Sequence, residues 1–460
     1  MKIFAGPLRT GFITILTALL LPVLGIGVAN ADMNVGDEVT LKVPDLSQFP
    51  LAIEEHQFTC RAVTAHAYWL VQDTCSVEGS GPGSLDSIVW GNLITQDELN
   101  TLTAEFEGSG VDVYGTVTGF LGDVPDTDDD PPIWIVMATI RDVYQDNPTD
   151  RKVMSYVNPA DVDTSGASGD FNNHDIFYIN LHTYSNNTTV LAIARELRQF
   201  NIANGLGMLI RTSVKPAEEQ WIVRGLGATC QYFCYGITRT ALGNFGLYYD
   251  IGLFEKAAYN DLTFYEAGGW NMDYATSRGQ EFMWLMYLVQ RKGDGILEVI
   301  AQSDTTNMLN VANAIDSSVP DSTAIQTNVV PIYKDWLVCN LTSNYRDDMS
   351  GGIYTYEIFS DTSSSFFSHI GQATSFEGQF TDGDYPLPVW LPEIGMAATI
   401  WAPQYDEFTG DYTANSTVQF NGAFADDNGS GSLIDGKWVA LVVSLDTVDE
   451  EIVSVEEVSL

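Results

Sequence analysis

Glu196 lies in Leu191–Phe200, LAIARELRQF, where a helix would set one carboxylate between two positions four apart. A helix that holds a metal and activates water needs two His at i and i+4, on one face, with a Glu directly after the first. Here the frame reads Arg195-Glu196-Leu197-Arg198-Gln199, so the Glu is present and both His are replaced. Alone, this pentapeptide is also what any solvated amphipathic helix shows. The five His of the chain (His56, His66, His174, His182 and His369) never fall four apart.

The neighbouring segments give that frame a context. His174–Asn180 is a strand-like run, Thr188 and Thr189 offer N-caps, and the helix is followed by Glu219–Ala228, EQWIVRGLGA. This order resembles the secreted gluzincin metallopeptidases of the hyicolysin-like type, in which a strand precedes T-x-A-H-E-F-Q-H and then E-x-W-x-N-E-G-x-S-E. The resemblance implies a zincin-like fold, zinc held by the two His and the Glu of the second segment, and the first Glu as general base. Position by position, the His ligands fall on Arg195 and Gln199, the base on Glu196, the third ligand on Arg224, and a further family Glu on Ala228. All three ligand positions depart from the family, and the base position alone is kept. The resemblance extends from about residue 52 to 345, with its specific motifs confined to the segments around Glu196 and Arg224.

Ligand chemistry then decides what the frame can do. Zinc takes Cys, His, Asp or Glu, whereas Arg stays protonated and has no lone pair to give. No zinc is therefore expected, and without it Glu196 has no activated water to deprotonate. In the family, zinc, its Glu ligand and the base sum to zero charge; Arg195, Arg224 and Glu196 sum to +1. A guanidinium can stand where the metal stood, and the expectation is a bidentate Arg224–Glu196 pair. Arg195 would then find Gln199, Glu218 or Glu219. The alternative is that one or both Arg turn to solvent.

These residues need elements to position them. Strands are expected at Val39–Val43, Phe58–Val63, Tyr68–Gln72, Ile133–Ile140 and Ile176–Asn180, with IWIVMATI apolar enough to be central. Gln96–Glu107 reads as a helix capped by Thr95, with Glu98 completing a capping box. From residue 188 the pattern turns helical, at 188–204, 217–235, 278–292, 306–315 and 324–342, with Gly205 as C-cap of the first. Gln280–Leu288, QEFMWLMYL, is apolar nearly all round and reads as buried. After Ser350-Gly351-Gly352 short strands and turns suggest a β-sandwich, with strands at Tyr354–Phe359, Pro388–Leu391, Met396–Trp401, Ser416–Phe420, Lys437–Ser444 and Glu451–Val455. The fold class expected is an α+β zincin-like domain, a small sheet plus a mainly helical half, followed by an all-β sandwich. The organisation expected is a signal at 1–31, a leader at 32–51, the zincin-like domain at 52–349 and the sandwich at 350–460.

Composition bounds the partners. Lys2 and Arg9 precede the apolar run Phe12–Val23, and Ala29-Asn30-Ala31 reads as a cleavage site, so the chain reads as secreted or extracytoplasmic; the alternative is an N-terminal membrane anchor, against which the A-x-A site argues. No later stretch has the roughly 18–20 apolar residues of a membrane span. The net charge is −41, and removal of a signal holding Lys2, Arg9 and no carboxylate makes it −43. Such a surface excludes nucleic acid and anionic lipid and suits salty surroundings. Among five Cys, Cys60 and Cys75 flank a hairpin and are candidates for a disulfide, while Cys230 and Cys234 read as small buried side chains.

A second site candidate is Asp126, Asp128 and Asp130, whose alternate spacing can set oxygens around Ca²⁺; the other reading is a solvated acidic turn. Asp161, Asp163 and Asp170 could add ligands. Asn-x-Ser/Thr sequons stand at Asn186, Asn187, Asn340, Asn415 and Asn428, and Tyr68 and Trp69 read as core. The function expected is that of an exported, catalytically inactive metallopeptidase homologue, a pseudopeptidase with a peptide- or protein-binding or surface-structural role. The enzyme alternative is a metallopeptidase with other ligands, for instance His174 or His182 with Glu196. A third reading, metal-free hydrolysis by Glu196 and another carboxylate, rests on acid–base chemistry alone.

Overall fold

The computed structural model describes residues 33–46, 52–77, 85–89, 94–128, 130–140, 153–163, 171–181, 188–237, 247, 250–251, 272–342, 356, 395–399, 438–444 and 453–459. The chain divides at Asp32/Met33, and these residues all belong to the second unit; the expected signal at 1–31 lies outside them. In chain order the elements are β1 (Glu38–Asp45), β2 (Ala52–Val63), β3 (Ala67–Gln72), β4 (Thr74–Val77), β5 (Leu85–Val89), α1 (Gln96–Phe106) and α2 (Val113–Leu121). Then come β6 (Ile133–Ala138), β7 (Ser155–Tyr156), α3 (Pro159–Val162), β8 (Ile176–Asn180), α4 (Thr188–Val214), α5 (Gln220–Tyr235) and α6 (Met272–Lys292). The last are α7 (Gly295–Ala301), α8 (Asn307–Ile315), α9 (Asp321–Ala324, continued by a π turn), α10 (Val330–Thr342), β9 (Gly395–Thr399), β10 (Trp438–Ser444) and β11 (Val453–Ser459).

A six-stranded mixed sheet organises the molecule, in the order β1-β2-β3-β6-β8-β7. β3, β6 and β8 run parallel, and β7 closes the edge antiparallel to β8. The three parallel strands are buried throughout because both their faces are covered. Trp69, Ile135 and Phe177 point into the helix-covered core, while Tyr68, Val136 and Tyr178 point into a second core on the opposite face. That second core is completed by Leu41, Val43, Phe58 and Cys60 from β1 and β2 of the same sheet. The sheet therefore curls, and one side chain fastens the curl. Asn172 accepts from the Lys42 amide and donates to the Lys42 carbonyl, each at 2.9 Å, and also reaches the Tyr178 hydroxyl at 2.9 Å.

Several expectations need correction. The leader is not separate from the domain, because β1 pairs with β2 along its whole length, from Glu38↔Thr59 to Asp45↔Ala52. Gly205 does not end its helix; α4 runs on to Val214. A Cβ at Gly205 would collide with the Phe177 ring, so this glycine lets α4 lie close on β8, against a helix-propensity cost of about 1 kcal/mol. Cys60 carries a free, buried thiol, so the Cys60–Cys75 disulfide is not formed. The pairing register explains it: Cys60 stands opposite Leu70, whereas Cys75 sits on β4 opposite Ile88 of a separate two-stranded sheet.

The helical expectations at the local level are met where the signal was local. Thr95 caps α1 by accepting from the Glu98 amide at 3.2 Å, and Trp69 is fully buried against Phe106 at 5.5 Å between ring centroids. In the C-terminal part, β9, β10 and β11 make one antiparallel sheet. The strands expected at 354–359, 388–391 and 416–420 fall outside the described residues, apart from Tyr356, whose hydroxyl accepts from Trp336 Nε1 at 2.8 Å. None of the described helices is long and apolar enough to cross a membrane.

Candidate functional site

Glycines bring the site together. A Cβ at Gly207 of α4 would lie 2.7 Å from Cys230 Sγ, and one at Gly227 of α5 would lie 2.7 Å from the Asn204 carbonyl oxygen. The two helices thus cross backbone against backbone. Two residues earlier, a Cβ at Gly225 would meet Leu285 at 2.9 Å, so the other side of α5 lies equally close to α6. The R-G-L-G segment is a hinge of packing: Gly227 serves α4, Gly225 serves α6, and Arg224 is carried between helices with little room for water.

Arg224 is 4 % exposed and forms an ion pair with Glu281 of α6, which is wholly buried. Next to this pair, Arg278 of α6 binds Asp250 and also donates to Asn204 Oδ1 of α4 at 3.1 Å and Gln231 Oε1 of α5 at 2.6 Å. Two cations and two anions make a neutral layer. It continues to the sheet edge, since Asn204 donates to Ser155 Oγ of β7 at 3.0 Å and Ser155 donates to Asn201 Oδ1 at 3.2 Å. Glu281 Oε2 accepts no hydrogen bond. Burial pushes the Glu281 carboxyl up to about 7, although Arg224 and Arg278 pull it down. Removal of the group from water outweighs both guanidiniums, and the nearby Asp250 adds to the rise.

The remaining positions of the frame lie on α4. Gln199 Nε2 reaches both Glu105 oxygens of α1, at 3.0 and 2.8 Å, so the second His position is tied to a neighbouring helix. Arg198, one residue before it, is buried and pairs with Glu98, seven residues from Glu105 on α1, and donates to the Leu181 carbonyl at 3.2 Å. For Arg195 and Glu196 the helix backbone alone is described, so the expected Arg224–Glu196 pair falls outside the described residues. Glu218 is not available to Arg195. Its two oxygens serve Arg211, Asn310, and the amides of Glu219 and Asn307, and its partner Arg211 lies about 24 Å along α4 from Arg195 at 1.5 Å per residue. Glu219 accepts from Trp221 Nε1 at 2.6 Å.

The acidic loop gathers a different trio from the one expected. Oxygens of Asp126, Asp128 and Asp175 lie within 4.8 Å of one another, a spacing that suits a hard cation. Asp130 is instead directed to the Tyr68 hydroxyl at 3.5 Å, and Asp161 is buried under Tyr178 and Asn172 on the far face of the sheet. Donors already serve two of the three: Thr127 and Ser213 bind Asp175, and His174 Nδ1 lies 2.5 Å from Asp128 while its ring stacks on Trp134 at 3.7 Å. Burial raises the Asp175 carboxyl above the usual range despite the Thr127 donors. Ser213 fixes this cluster at the far end of α4, about 25 Å along the helix from Glu196. His174 and Glu196 therefore cannot share a metal, and His182 lies outside the described residues.

Sequence reading missed Glu281, Arg278 and Asp250. The signal was present for the first: a single carboxylate inside QEFMWLMYL, a helix apolar all round, must have a buried partner. What joined it to Arg224 was helix packing, which no local pattern encodes. No protein-family model matches this chain, and no curated protein matches it.

Proposed function

We propose that this protein is an exported, non-catalytic metallopeptidase homologue with a peptide- or protein-binding or surface-structural role. The observation that carries the reading is the buried Arg224–Glu281 pair at the position equated with the third metal ligand. A guanidinium paired with a carboxylate in a closed helix junction cannot donate electrons to a metal and does not vacate the position for one. Gln199, at a second ligand position, is held by Glu105 and offers only a neutral amide oxygen. The parallel strands, the antiparallel edge strand β7 and the crossed pair α4 and α5 are compatible with the resemblance and do not depend on it.

Metal analysis of purified protein, beside a broad peptide-cleavage screen, tests the reading. No bound zinc and no chelator-sensitive cleavage are expected; stoichiometric zinc with cleavage would overturn it. A gain-of-binding variant sharpens the frame. Arg195→His, Gln199→His and Arg224→Glu would put a new carboxylate against Glu281, so Glu281→Gln must accompany them. The four-fold variant should take up zinc, and failure to do so in a folded sample would sink the position-by-position equivalence.

A further inference from the structure

The distribution of charge between interior and surface supports a conclusion independent of the helix junction. All six arginines whose side chains are described (Arg61, Arg198, Arg211, Arg224, Arg278 and Arg291) are held in ion pairs with carboxylates, and four of those pairs are largely buried. The exposed class of the described residues holds fourteen Asp and Glu and a single cation, Lys292. Helix ends repeat the pattern. Only α4 and α6 carry a basic residue in the last turn, and in α4 it is the buried Arg211. The last turns of α1, α2, α3, α5, α7, α8 and α10 have none, so side chains do not complement their negative dipole ends.

We propose that dissolved cations, not side chains, neutralise this surface, and that the folded state requires salt. The physical sign is definite. Repulsion among exposed carboxylates destabilises the compact state and is screened as the Debye length falls from about 10 Å at 0.1 M to about 3 Å at 1 M salt. The attractive pairs are mostly buried, where salt screens them much less. Raising the salt concentration thus relieves the repulsion and leaves most of the attraction. A protein held by surface salt bridges would respond in the opposite direction.

Thermal unfolding of the full protein in KCl and in NaCl, from 0.1 to 1 M, reads this directly. The unfolding temperature is expected to rise by about 5 °C or more, a shift resolvable for a chain of this size. The two salts should act alike. The variant Glu38→Gln, Glu55→Gln, Asp123→Asn, Asp304→Asn, changed at exposed carboxylates, should be more stable at 0.1 M and should rise less. A flat or falling wild-type response, a variant that rises as much as wild type, or a response to one cation only would each overturn the proposal.

Discussion

Two buried Arg–Glu pairs differ in how completely they are hydrogen-bonded. Arg211–Glu218 joins the end of α4 to the turn before α5, and every hydrogen-bonding group in it is used. Arg211 donates to Glu218 and to the carbonyls of Ala301, Ser303 and Thr305, and Glu218 accepts from Arg211, Asn310 and two backbone amides. Arg224–Glu281 uses the same residue types between α5 and α6 but leaves Glu281 Oε2 without a donor. The first pair is a closed knot tying four helices and their loops. The second is open on one oxygen, and burial lifts its carboxyl to about 7 although Arg224 and Arg278 pull it down. Identical residue types thus give a fully hydrogen-bonded joint in one place and a partly bonded one in the other.

The largest effect that would break this comparison is at the knot. Arg211→Met leaves Glu218 buried without its cation and orphans three carbonyls, and a loss of about 3–5 kcal/mol is expected in urea unfolding. A loss below about 1 kcal/mol would show that the knot is not structural.

Next in size is the pH response of the open pair. Glu281 has a folded-state pKa above its unfolded value of 4.5, so the folded state binds the extra proton between pH 4.5 and about 7. Its contribution to stability is full below 4.5 and is lost as pH rises through about 7, an amount of about 3 kcal/mol. Glu281→Gln should remove that slope from unfolding measured in 1 M KCl, where surface repulsion is screened. A slope unchanged by the substitution would assign the titration elsewhere.

The smallest and most discriminating test is Arg224→Met. Its Glu281 can escape the loss of a partner by keeping a proton. The expected cost is about 1–2 kcal/mol at pH 8, vanishing near pH 6. A cost as large as that of Arg211→Met, and equally flat with pH, would erase the distinction between the two pairs.

The legible part of the fold was local or periodic. Ile133–Ala138 could be read as central because a strand covered on both faces is apolar at every position. Thr95 could be read as a cap because its partner, the Glu98 amide, is three residues away. Gly205 was misread because a glycine at a helix end and a glycine at a close helix–strand contact look the same in one dimension. Asp130 was included and Asp175 omitted because alternate spacing in a loop does not say which oxygens meet a buried residue 45 positions onward. That Arg195, Gln199 and Arg224 lack the donor chemistry zinc accepts was legible without any structure.

By itself, the sequence determined the donor chemistry, the strongly negative charge, the apolar strands and the capped helices, since each follows from residue type or from neighbours within a few positions. Tertiary structure alone decided that Arg224 meets Glu281, that β1 curls over to Asn172, that Cys60 stays a thiol and that every arginine with a described side chain meets a carboxylate. Those outcomes depend on groups far apart in the chain being forced together by close packing and exclusion of water, and only the folded chain sets which buried charge finds which partner.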